Sequence, residues 1–191
     1  MRQLELWARS ASRALVWVGG GVLLLMAVLV TLDVLTRSLF AVAFFESFEI
    51  TSYAFAIAVA AAYAYALLTR SHIRVDALYT RLPRPARLLS DMASYLALAA
   101  LAGLLAYHGW DTVWQSARLG ATSSSALAVP LVVPQSLWAA GLSWFLIVVV
   151  LLLLRGAGLL MRGKRAEAEG LLGIAQEADD MGGRSGDRPQ D

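Results

Sequence analysis

Hydrophobic positions fall along the chain in four long blocks. Ala14 to Leu32 is free of charge over 19 residues, Ile50 to Thr69 over 20, Met92 to Trp110 over 19 and Leu119 to Leu154 over 36. A helix needs about 20 mostly apolar residues to cross a hydrocarbon core of ~30 Å. Each of the first three blocks therefore supplies one crossing, and the fourth is too long for one. Pro130 and Pro134 interrupt it, and Ser123, Ser124 and Ser125 make its start polar. It divides into an interfacial or partly re-entrant loop, Gly120 to Pro134, and a span from Ser136 to Leu154. The pattern predicts an all-α membrane protein with four transmembrane helices, at about residues 14–36, 50–69, 90–110 and 136–154. Residues 1–13 precede this membrane domain of residues 14–154. Residues 155–191 form a tail, expected to be helical to about Ala178 and disordered beyond, where acids, Gly and Pro accumulate.

The connection after the second block has a pattern of its own. Val75, Leu78, Tyr79 and Leu82 follow the i, i+3, i+4, i+7 spacing of one helix face, and Arg74 and Arg81 lie on another. Pro83 disfavours helical geometry at Leu82 and should end the turn. A short amphipathic helix on the inner membrane surface is expected here, its cations toward lipid headgroups.

Charge sets the orientation. Fourteen of the 16 Lys and Arg residues lie before the first span, between spans two and three, or after span four. Only Arg37 and Arg118 lie in the other two connections. By the positive-inside rule both termini are cytoplasmic. Phe44, Phe45, Trp110, Trp114 and Trp138 lie near outer ends, where interfacial rings belong. Ala41-Val42-Ala43 resembles a signal-peptide cleavage site. The first apolar run exceeds the usual ~7–15 residues, however, and Asp33 and Arg37 intervene, so it reads as a retained span.

Composition narrows the chemistry. Hydrophobic residues make up 59% and charged residues 16%, against about 45–50% and 25% in soluble domains. The net charge of +2 gives no basis for nucleic-acid binding by bulk charge. With no Cys, thiolate metal sites, iron–sulfur clusters and thiol nucleophiles are excluded. His72, at the inner end of span two, and His108, near the outer end of span three, stand about the ~30 Å hydrocarbon thickness apart. They cannot both ligate one haem. Gly19-Gly20-Gly21 lies inside an apolar span and reads as a packing feature, not a phosphate loop. No nucleophile constellation is present, and no cofactor or enzyme activity is expected.

Ala54, Ala58, Ala62 and Ala66 recur every four residues and form one narrow stripe; Ala56, Ala60 and Ala64 form a second beside it. Small residues at this spacing let helices approach closely in lipid, so the stripe is a candidate packing surface. The outer acids Asp33, Glu46, Glu49 and Asp111 read either as solvated interfacial groups or as contacts for an external partner, Glu46 and Glu49 foremost. No ionisable residue falls in the middle of a span, whereas proton and ion pathways usually need one. The chain is therefore a poor carrier by itself.

An outer acid (Glu46 or Glu49), an uncharged small-residue span, Arg70, the string His72-Ile73-Arg74-Val75-Asp76, Leu82-Pro83 and a late Ser125-Ala126-Leu127-Ala128-Val129-Pro130 segment follow in order. Over roughly Ala14 to Leu154 the chain resembles the small permease subunit of tripartite ATP-independent periplasmic (TRAP) transporters, the DctQ-like family. The His-Ile-Arg-Val-Asp string is the most specific part of the likeness. Ala60-Ala61 stands where the family often has a Gly-Ala pair. The resemblance implies a location in the bacterial inner membrane. It also implies two partners, a large permease subunit carrying the substrate and sodium sites and a periplasmic substrate-binding protein, with membrane lipids around them. The solute implied is carboxylated, and the small subunit's role is that of a scaffold. Arg70, His72, Arg74 and Asp76 are then a structural motif at the inner interface. A membrane anchor or assembly subunit of a redox complex is the alternative reading, and the histidine placement weighs against it.

Overall fold

A computed structural model describes residues 2–40, 47–69, 83–125 and 127–164, together with Glu167 and Leu171. Among these residues there are four helices, α1 (Arg2–Phe40), α2 (Ser47–Leu68), α3 (Arg84–Leu119) and α4 (Val132–Met161). Each is long and apolar enough to cross a membrane. At 1.5 Å per residue α2, with 22 residues, is about 33 Å long and matches a ~30 Å hydrocarbon core. The 39-residue α1 and the 36-residue α3, about 58 and 54 Å long, exceed it. Both run past the uncharged blocks because their extra turns carry charges on faces that pair or stay exposed. Arg9 of α1, for instance, reaches Glu5 one turn earlier at 3.3 Å.

α1 packs on α2, α2 on α4, and α4 on α3, which places α2 and α4 in the middle of the set. The α3–α4 connection is a closed loop. Gly120 adopts the left-handed conformation (φ 58°, ψ 34°) that ends α3; its N–H donates to the Ala117 carbonyl, and that of Ala121 donates to Ser116. This pair of bonds satisfies two of the last four carbonyls of the helix, and glycine alone adopts the geometry without a Cβ penalty. Ser123 N–H donates to the Val129 carbonyl and Leu131 N–H to that of Ala121, so the loop folds back on itself. Pro134, expected to end this loop, lies in the first turn of α4, where a missing N–H costs nothing. The expected amphipathic helix over residues 73–82 and most of the C-terminal tail lie outside the described residues.

The interior is apolar and small. Ala64, Val148 and Val149 are fully buried beside Leu67, Leu68, Tyr95, Phe145 and Leu152, and Ala8 of α1 joins this cluster. A second cluster, nearer the other edge, gathers Ala60, Ala106 and Leu142.

Candidate functional site

The two alanine stripes of α2 meet two different helices. Ala58 is buried against α1 at Gly19, where an added Cβ would come within 3.2 Å of the Ala58 Cβ. Gly20 and Gly21 have nothing comparable near them. Ala60 and Ala61 are buried against α4 at Gly141, whose added Cβ would stand 3.0 Å from the Ala60 Cβ and 3.1 Å from the Ala61 nitrogen. Ala64 is buried on the same side, while Ala54, Ala62 and Ala66 are half-buried and Ala56 is exposed. Close approach at the Ala60-Ala61 pair is thus made possible by a glycine on the facing helix. At Gly109 of α3 an added Cβ would stand 3.5 Å from Ala139, Leu142 and Trp138 of α4, an ordinary van der Waals distance.

Glu49 lies in the first turn of α2 and turns its carboxylate inward. The Tyr53 hydroxyl donates to Oε1 at 2.7 Å. The Ser125 and Ser123 side chains lie against the same carboxylate, although Oε2 is buried and has no partner in hydrogen-bonding geometry among the described residues. The serine loop is thereby held to the end of α2. Glu46, Arg70, His72, Arg74 and Asp76 lie outside the described residues. His108 is exposed and stands edge-on to Tyr107.

Three buried carboxylates stand out. Asp33 is 2% exposed; it accepts hydrogen bonds from Ser47 Oγ and from Arg37 Nη2, both at 2.9 Å. It therefore joins α1 to the start of α2, in a role that neither interfacial solvation nor a partner contact describes. Glu5, also buried, is ion-paired with Arg9 and with Arg155 of α4. Nearby, the Trp144 indole N–H donates to the fully buried Ser12 hydroxyl at 3.0 Å, and Trp7 packs edge-on against Trp144. Asp91 is buried near the start of α3 and takes part in polar contacts there. Sequence spacing flags the i, i+4 pairs Asp33–Arg37 and Glu5–Arg9. It carries no signal for Ser47, Arg155 or Trp144, which lie far along the chain.

All three acids lie toward helix ends, and apolar and small side chains fill the space between. The Asp33 and Glu5 contacts join α1 to α2 near one end and to α4 near the other. A family model described as "Tripartite ATP-independent periplasmic transporters, DctQ component" matches residues 26–158, which include all of α2 and α3. No curated protein and no solved structure matches the chain.

Proposed function

The chain belongs to the DctQ-component family of tripartite ATP-independent periplasmic transporters, and from that premise we propose that it scaffolds a large permease subunit importing a carboxylated solute with sodium. The observation that carries this reading is the distribution of polarity. The buried carboxylates Glu5, Asp33 and Asp91 sit toward helix ends, while α2 and α4 close on each other through Ala60, Ala61 and Gly141. A carrier path needs polar groups at mid-depth; a wall of packed helices suits a fixed support. Its partners are the large permease and a periplasmic substrate-binding protein, and its place is the bacterial inner membrane with both termini cytoplasmic.

Within this role, Arg70, His72, Arg74 and Asp76 fix the inner edge of the scaffold. Arg74→Lys keeps the charge and loses the planar, multi-donor guanidinium; Asp76→Asn keeps the size and loses the charge. Both should lower co-purification of the tagged chain with the large permease while leaving topology intact. Co-purification at the parental level in both variants would reduce the segment to a topology signal. The half-buried alanines Ala54, Ala62 and Ala66, with Ala58, extend the packing surface; Glu46 remains the candidate contact for an outer partner, whereas Glu49 is engaged inward with Tyr53 and the serine loop.

A further inference from the structure

Between the C-terminal part of α1 and the start of α2 lies a groove of about 590 Å³, within the roughly 300–1,000 Å³ of small-molecule sites. Its lining changes with depth. Ser47 opens α2, a helix just long enough to cross the hydrocarbon core, so the Ser47–Asp33 hydrogen bond marks the membrane edge. Arg37 lies one turn beyond that edge. Val30 on α1 and Phe55 on α2 lie deeper in the groove. A charged rim above walls that are mainly apolar, with Thr51 and Ser52 partway down, is the order of a phospholipid, phosphate outside and acyl chains inside.

The charge also fits. Asp33 is covered, so the groove presents the Arg37 guanidinium, whose side chain is 56% exposed. Only its Nη2 is engaged with a described residue, which leaves other donors of the fork for a phosphate oxygen. The Phe48 and Phe55 rings are exposed beside it, at 86% and 58%. An apolar helix from a partner protein would cover those rings but would leave the outward donors of Arg37, which Asp33 does not engage, without an acceptor, at a cost.

We infer that this groove holds one phospholipid, its phosphate on Arg37 and its chains against Val30 and Phe55, in the leaflet at the C-terminal end of α1. The test places the full chain in nanodiscs with a phosphatidylethanolamine carrying a photoreactive diazirine near the top of one acyl chain. Cross-links should map to Val30 or Phe55. In Arg37→Gln they should fall about fivefold, the change expected of one cation–headgroup contact. Those at Leu24 and Leu25, exposed elsewhere on α1, should not change. Arg37→Lys should keep most of the labelling, and excess inorganic phosphate should leave it intact. Equal labelling in Arg37→Gln would mean ordinary annular lipid and overturn the inference. Loss of labelling with inorganic phosphate would mean a free-anion site, and loss on co-assembly with the large permease would mean a protein occupant; either also overturns it.

Discussion

At the scale of single residues, space decides most outcomes. An added Cβ at Gly141 meets the Ala60 Cβ at 3.0 Å and backbone atoms at 3.1 Å, so one of the two helices must move. Gly141→Ala should therefore destabilise the fold by about 1–3 kcal/mol, the usual cost of overpacking. Gly20→Ala meets nothing within 4 Å and should be stabilising by about 0.5–1 kcal/mol through helix propensity. Thermal unfolding of the two variants in one detergent checks the contrast, and equal midpoints would remove the close approach at Gly141. The alanine periodicity of α2 was legible in the sequence, but its division between two neighbours was not. Which stripe meets α1 and which meets α4 depends on Gly19 and Gly141, and many other small residues compete for those places. The burial of Asp33 was hidden for a similar reason, since its Ser47 partner lies on the next helix.

The helices themselves were legible because an uncharged run of membrane length permits little else; their ends were not. α1 extends beyond Arg13 and Arg9 toward its N-terminus because Glu5 pairs with Arg9 and with Arg155, 150 positions further along. The turn at Gly120 closes α3 by local chemistry, while the loop beyond it depends on α2. Its Ser123 and Val129 amides are hydrogen-bonded within the loop, and the loop's serines rest on Glu49. Glu49→Gln removes the charge from these contacts, worth about 1 kcal/mol. Hydrogen exchange at Ser123 and Val129 should then quicken about fivefold, with the rest of α2 unchanged. Exchange at the parental rate would show that the loop holds its shape without Glu49.

For the whole molecule, the lack of Cys makes sidedness directly measurable. Single cysteines at Arg37 and Arg118 should react with an impermeant maleimide from outside intact cells, and one at Arg162 only after permeabilisation. Labelling of position 162 in intact cells would reverse the orientation. Asp33–Ser47 and Glu5–Arg155 tie α1 to α2 and to α4, with small residues packed between, which suits the proposed role of a support that does not itself conduct. The most direct test of that claim is solute uptake into liposomes under a sodium gradient. The chain is reconstituted alone, with the large permease, and with the large permease plus its binding protein. The expected result is uptake only when the large permease and the binding protein are both present, with none from this chain alone. Sodium-driven uptake by the purified chain alone would contradict the scaffold reading.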